Sequence, residues 1–179
     1  MRFIKHFLLS CGVLALCSSV AIAESDFYKN CRYHGAWQTC ENNINGNTVP
    51  EMIILNSKGA RLTIDVHYPD LLSLNLDSNV KNKEKYSEKK SLINDEAEIF
   101  IDKDFQKNVK VMHFYNDRHL GFYGLKMSED LVEECKKGKK LTIVFRDMNF
   151  IFSLSGFSAA LKRAQKINSE IHEDYSPYL

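Results

Sequence analysis

Two groups of side chains in this 179-residue sequence have types and spacing that could do chemistry. Asp65 and His67 lie two residues apart, so on a strand they would share one face and could pair. His113 and His119 flank Asp117, and imidazole and carboxylate groups are common metal ligands. Spacing of this kind often arises by chance, and no matching cluster of cysteines or glutamates supports it. We therefore expect no metal and no other cofactor.

Cys135 is the candidate nucleophile, because a cysteine that is exposed and near positive charge can react as its thiolate. Lys136 and Lys137 follow it and would favour the thiolate. However, the spacing of four residues from Leu131 places Cys135 on the apolar face of a predicted helix. The chain also has no nucleophile-elbow, phosphate-loop or zinc-helix motif. The sequence thus predicts no catalytic residue and no enzyme; catalysis by Cys135 or a histidine pair is the alternative.

Residues 1–23 have the three parts of a secretory signal peptide. Arg2 and Lys5 supply the positive start, Phe7–Leu16 the apolar core, and Ala21-Ile22-Ala23 the small residues of a cleavage site. A membrane anchor is the alternative, but a spanning helix needs about 20 apolar residues and this run is shorter. We expect cleavage before Glu24, a location in the periplasm or outside the cell, and no transmembrane segment afterwards.

The charge of the remaining chain argues against nucleic acid as a partner. The full sequence has 24 lysines and arginines against 23 acidic residues, and losing Arg2 and Lys5 leaves 22 against 23. Binding to a phosphate backbone needs a basic excess on one face. The one basic stretch is a lysine-rich loop near residues 77–94, which we interpret as a hydrated insertion in a single globular domain spanning residues 24–179.

Cysteine usage fits an oxidising compartment. Cys11 and Cys17 would leave with the signal peptide, and Cys31, Cys40 and Cys135 would stay, which predicts one disulfide and one leftover thiol. Cys31 with Cys40 is the first choice because the two are close in sequence. A bond from Cys135 to either one competes with it, and a buried free Cys135 is equally compatible.

Short extended segments dominate the domain. Residues 62–68 alternate strictly between apolar and polar, and residues 141–145 and 150–154 form a predicted hairpin. Two helices interrupt the strands: Ser128 caps the first, which ends before Gly138, and an apolar stripe from Phe157 to Ile171 marks the second. The pattern predicts a mainly β fold, an antiparallel sandwich or partly closed barrel with two short helices, the second C-terminal.

Tryptophan and the final strand-to-helix turn supply the expected structural anchors. Trp37 lies three residues before Cys40, which predicts a tryptophan packed against the disulfide. Leu154 ends the last strand and Phe157 begins the last helix, so both should point into one core. Gly156 lies between them in the turn.

Two parts of the chain resemble the invasion-associated locus B family of exported proteins from Gram-negative bacteria. The first is the segment Gly35–Glu41, which contains Trp-Gln-Thr-Cys, and the second runs from Leu125 to Leu161 and closes with Ser-Leu-Ser-Gly-Phe-Ser-Ala-Ala. The resemblance implies an all-β exported domain without known catalytic residues, associated with host-cell invasion or envelope function. It carries over no active-site residue.

The expected function is that of a non-catalytic envelope or surface factor that binds an unknown protein in the envelope or on a host cell. The alternative is a periplasmic inhibitor or immunity protein that blocks a cell-wall enzyme with an inserted loop. The segments Asn42–Asn47 and Asn116–His119 are the candidates for such a loop.

Overall fold

A computed structural model describes residues 28–44, 46–67, 71–79, 93–116, 119–145 and 147–173. The predicted signal peptide, residues 80–92 of the lysine-rich stretch and Asp117 lie outside this part of the chain. The elements follow in the order β1 (Tyr28–His34), β2 (Trp37–Ile44), β3 (Asn47–Leu55), β4 (Arg61–His67), β5 (Leu71–Asn79), β6 (Ile93–Ile101), β7 (Asp104–Asn116), β8 (His119–Lys126), α1 (Glu129–Lys137), β9 (Lys140–Phe145), β10 (Met148–Ser153) and α2 (Phe157–Glu173).

The strands pair antiparallel in the order β1-β2-β3-β4-β5-β8-β7-β6-β9-β10. Within the described ranges no ladder joins β1 to β10, so the sheet does not close into a barrel. Its inward side chains from both halves form one apolar core. The predicted fold class is confirmed: the protein is mainly β and antiparallel, with two helices, the second C-terminal.

The hairpin of β9 and β10 shows why these residues form strands. Leu141, Ile143 and Phe145 alternate with more exposed neighbours, and Phe150 and Phe152 do the same on β10. Period-two alternation places every buried side chain on the inner face of the pleated sheet. Phe150 pairs directly with Ile143, so the register joins the two apolar faces.

Helix α1 begins and ends where its sequence predicts. The Ser128 hydroxyl accepts a hydrogen bond from the Leu131 N–H, at 3.4 Å, and the Gly138 N–H donates to the Glu134 carbonyl, at 2.8 Å. These contacts satisfy backbone groups that every helix end leaves without an intrahelical partner. The cap fixes the helix so that Leu131 and Cys135 face the core.

Helix α2 covers the first strands of the sheet, packing on β1 to β4. Phe157, Ala160, Leu161 and Ala164 are its buried residues closest to the start, at the spacing of one helical face. The Thr39 hydroxyl of β2 donates to the Ala160 carbonyl, at 3.3 Å, and ties strand to helix.

Strands β1, β2 and β5 were not predicted from the sequence. Leu72, Leu74 and Leu76 alternate along β5. The predicted lysine-rich loop near residues 77–94 is too long at both ends, because β5 continues to Asn79 and β6 starts at Ile93. Polar composition hides a strand whose stability comes from ladder hydrogen bonds and a covering helix. Element ends therefore follow pairing partners more than local composition.

Candidate functional site

The structural anchors expected from the sequence meet at one junction between the β1–β2 turn and the β10–α2 turn. The Trp37 indole N–H donates to the Ser153 carbonyl, at 2.9 Å, and the Ala36 N–H donates to the Ser155 carbonyl, at 3.0 Å. The rings of Trp37 and Phe157 pack edge to face with centroids 5.4 Å apart. Both rings are buried, so this junction closes the core at one end of the sheet.

Leu154 and Gly156 complete this junction. Leu154 is buried, and its carbonyl accepts the Phe157 N–H at 3.1 Å, which turns the chain from β10 into α2. Gly156 has a φ of +88°, and an added Cβ would overlap the carbonyl oxygen of His34. The junction therefore requires glycine at position 156, both for the backbone angle and for the close approach.

The disulfide joins Cys31 to Cys40. A bulge between Lys29 and Arg32 interrupts the pairing of β1 with β2 and lies beside this bond. The expectation that Trp37 packs against the disulfide is wrong. Successive side chains of a strand point to opposite faces, so the Trp37 and Cys40 side chains lie on opposite sides of β2. Trp37 contacts Phe157 instead.

Cys135 is a free, buried thiol on α1. Burial, and secondarily the nearby Glu134 carboxylate, raises the pKa of Cys135 to about 12. A thiol with this pKa is almost wholly protonated at neutral pH, and its burial keeps substrates away. The arrangement lacks what a cysteine nucleophile requires.

A polar cluster occupies the face of β1 to β4 opposite the core. Glu51 of β3 pairs in register with Asp65 of β4, and Glu51 is only 4% exposed. The Asn42 side-chain amide donates to Glu51, and the Asn75 amide donates to Asp65 at 2.8 Å. Burial raises the pKa of both carboxyl groups, and the amide hydrogen bonds oppose that shift. Tyr28 contributes a further hydrogen bond to Glu51.

The chemical options of this cluster are narrow. Asp65 and His67 share a face, as their spacing predicts, and His67 acts on the Asp65 carboxyl electrostatically. The carboxyl groups are held by amides and a phenol rather than by a base. Across the described residues, no three His, Cys, Asp or Glu side chains come together as a metal site, and the side chains of His113 and His119 lie outside that description.

An apolar row crosses the outer face of the other half of the sheet, and sequence reasoning missed it. Phe105 of β7 pairs with Phe100 of β6, Phe100 with Thr142 of β9, and Thr142 with Ile151 of β10. The two phenyl rings pack edge to face at 5.5 Å. Phe105 and Ile151 are 54% and 53% exposed. Phe100 and Thr142, which lie between them, are half-buried. Apolar side chains that lie in line on one face mark an interaction site more often than a single exposed side chain does.

Among the helices that the structure describes, none has the length and apolar character needed to cross a membrane. No protein-family model matches the sequence. No curated protein matches it either.

The fold is similar to that of a solved bacterial protein. The crystal structure of invasion associated protein B from Bartonella henselae superposes on 79% of this chain and 99% of its own, with a TM-score of 0.56 and 16% sequence identity. At this identity the likeness shows a shared fold.

Proposed function

We propose that this chain is an exported, non-catalytic envelope or surface protein of the invasion-associated locus B family, and that it acts by binding another protein. The observation that carries the proposal is the row of Phe105, Phe100, Thr142 and Ile151 on one sheet face, in which the two end residues, Phe105 and Ile151, are exposed. A sheet face presenting phenyl and aliphatic side chains to solvent offers desolvation energy to a complementary protein surface. Phe105 lies at one end of this row, next to the β6–β7 turn.

Charge around the row is compatible with a protein partner. Glu98 and Asn108 pair on the same outer face, one row away from Phe100. Lys140 is the first residue of β9 and lies two residues before Thr142. An apolar centre bordered by polar and charged side chains of both signs is the usual anatomy of a protein–protein interface. Nucleic acid would need a run of basic groups instead.

Export is supported by the disulfide between Cys31 and Cys40 and by the composition of residues 1–23. Disulfides persist in the periplasm and outside the cell and are rare in a reducing cytosol. The proposed location is therefore the periplasm or the cell exterior, after cleavage behind Ala23. N-terminal sequencing of protein from the envelope fraction should give Glu24; an intact Met1 on most molecules would contradict export by this route.

The proposal excludes catalysis by Cys135. A maleimide reagent applied to the folded protein should leave Cys135 unlabelled, because the thiol is buried and protonated. Labelling should become complete in denaturant. Rapid labelling of the folded protein would instead favour the enzyme alternative.

The inhibitor alternative needs a loop that protrudes from the sheet. In both candidate segments, only two residues separate the end of one strand from the start of the next. In Asn42–Asn47, β2 ends at Ile44 and β3 begins at Asn47. In Asn116–His119, β7 ends at Asn116 and β8 begins at His119. The described residues at both ends of each segment therefore belong to strands. The exposed row is the stronger basis for binding.

The test is capture of partners from envelope extract and from host-cell membranes, with the wild type, Phe105→Ser and Ile44→Ser compared by mass spectrometry. Ile44 is 44% exposed at the far end of β2, so Ile44→Ser removes a similar apolar side chain away from the row. The wild type and Ile44→Ser should capture the same protein, and Phe105→Ser should lose it. Equal capture by all three would remove the row from the proposal.

A further inference from the structure

The two end strands of the sheet differ in how they are protected. β1 carries Lys29 and Arg32, a bulge between them, and the disulfide at Cys31. Charges, bulges and covalent links are the means by which proteins prevent an edge strand from pairing with another chain. β10 has the sequence Met-Asn-Phe-Ile-Phe-Ser, with no charge, no proline and a regular register.

The alternation of hydrogen-bond direction along β10 identifies which of its backbone groups face away from β9. The Leu154 N–H donates to the Lys139 carbonyl, at 2.8 Å, so even-numbered residues of β10 bond to β9. In an antiparallel ladder the alternate residues point their N–H and C=O groups to the other side. Ser153 follows this rule, because its carbonyl points away from β9 and accepts a hydrogen bond from the Trp37 indole N–H.

Asn149 and Ile151 are therefore the residues with outward backbone groups. β9 is the neighbour of β10 in the sheet, and no hydrogen bond described outside the strand ladders uses the backbone of Asn149 or Ile151. Both side chains are exposed on the outer face of the sheet.

We propose that the edge of β10 is a self-association surface, at which two copies of this chain pair their β10 strands antiparallel about a two-fold axis at Phe150. In this register Asn149 of each copy lies opposite Ile151 of the second copy, and each pair exchanges both N–H···O=C bonds. The register one pair further along would place Asn149 opposite Ser153, whose carbonyl Trp37 already occupies. The Trp37 contact thus limits the pairing to the residues before Ser153.

Charge favours a second copy as the occupant. No charged residue opposes another along β10, so self-pairing brings no like charges together. Asp147 precedes β10 and lies opposite Ser153 of the second copy, and Ser153 pairs within its own sheet with Lys140. Among the residues that the structure describes, the nearest charged groups across the axis are therefore opposite in sign, at both ends of the pairing. The paired sheets also join their outer apolar rows through Ile151.

The experiment measures the mass of the full chain, expressed with residues 1–23 and recovered from the envelope fraction, by analytical ultracentrifugation over a range of concentrations. The wild type should dimerise. Ile151→Lys should raise the dimer dissociation constant at least about tenfold, because it places a charge beside the axis on each copy. Phe105→Lys is the matched control: its side chain has the same exposure on the same face but lies on β7, and it should dimerise like the wild type.

A second variant guards against misfolding. Asn149→Pro removes an N–H that points away from β9, so the fold should remain and dimerisation should be lost. Amide exchange at Asn149 and Ile151 should slow with rising protein concentration in the wild type, and exchange at position 151 should not slow in either edge variant.

Three results would overturn self-association. The first is a wild type that is monomeric at every concentration, and the second is equal loss of the dimer in Phe105→Lys and Ile151→Lys. The third is protection of these amides only when envelope extract is added, which would assign the edge to a different protein. This proposal goes beyond the proposed function and fails separately from it, because partner capture is measured with Phe105→Ser.

Discussion

Gly156 lies so close to His34 that a single methyl group would overlap the His34 carbonyl oxygen. This contact joins the β10–α2 turn to the β1–β2 turn, more than a hundred residues apart in sequence, beside the hydrogen bond from Trp37 to Ser153. The two segments that carry the resemblance to the invasion-associated locus B family are therefore in contact.

Gly156→Ala should strongly destabilise the protein. The substitution adds overlap with a backbone carbonyl to the strain of a positive φ, and overpacking of this kind costs roughly 1–3 kcal/mol beyond the backbone term. Gly46→Ala is the matched control, because Gly46 has a φ of +86° and nothing within 4 Å of an added Cβ. Urea denaturation of both variants isolates the contact. Equal losses of unfolding free energy would show that the turns do not pack as described.

Phe157→Ala should remove the edge-to-face contact with Trp37 and leave a cavity. The phenyl ring is 1% exposed, and truncating a buried phenylalanine costs about 3–5 kcal/mol. Lys162→Ala, an exposed change on the same helix, should leave the thermal midpoint nearly unchanged. Thermal melts followed by circular dichroism compare the two. Matching midpoints would mean that Phe157 is not a core residue.

Much of the fold around the junction of Trp37 and Phe157 could be predicted from sequence, because local patterns determine it. The cap of α1, the hairpin of β9 with β10, and the inward Leu154 and Phe157 all follow from periodicity and turn chemistry. The contact of Trp37 with Phe157 could not be predicted, since it depends on two chain segments far apart in sequence. Proximity to Cys40 pointed to the disulfide, whereas strand alternation directs the indole the other way.

The row of Phe105, Phe100, Thr142 and Ile151 could not be predicted from the sequence for the same reason. Alternation assigns Phe100 and Ile151 to the outer face, where single apolar side chains are ordinary. Only the pairing order β7-β6-β9-β10 brings them into line with Phe105. The burial of Glu51 was also invisible, because local sequence does not reveal which strands and side chains surround it.

The contribution of Glu51 to the stability of the protein should fall as pH rises above about 4.5, the ordinary pKa of a glutamic acid. Burial raises the pKa of Glu51, so the folded state holds this proton more tightly than the unfolded state. The slope of unfolding free energy with pH is then negative between the unfolded and folded pKa values. Glu51→Gln keeps the acceptor for Asn42 and removes the charge, so it should raise the melting midpoint at pH 8 and have little effect at pH 4.

Glu98→Gln removes an exposed carboxylate from β6 and serves as the control for this pH series. Its melting midpoints should follow the wild type at every pH. A Glu51→Gln variant that is less stable than the wild type at pH 8 would show that the ionised carboxylate stabilises the fold.

Loss of the disulfide should lower stability without abolishing the fold. The bond closes a loop with a sequence separation of 9, and disulfides contribute typically about 2–4 kcal/mol, mainly by restricting the unfolded chain. Cys31→Ser with Cys40→Ser should therefore unfold at lower urea concentration. Non-reducing peptide mapping of the wild type should recover the Cys31–Cys40 peptide pair, and a peptide joining Cys40 to Cys135 would contradict the structure.

Site-specific photo-crosslinking in living cells tests most directly whether the outer apolar row binds another protein. A photoreactive phenylalanine analogue at position 105 lies at the end of that row, and the same analogue at position 44 lies away from it. Position 105 should give a discrete crosslinked species whose mass differs from twice that of the chain, and position 44 should not. Crosslinking at neither position, or at both to the same protein, would contradict the account.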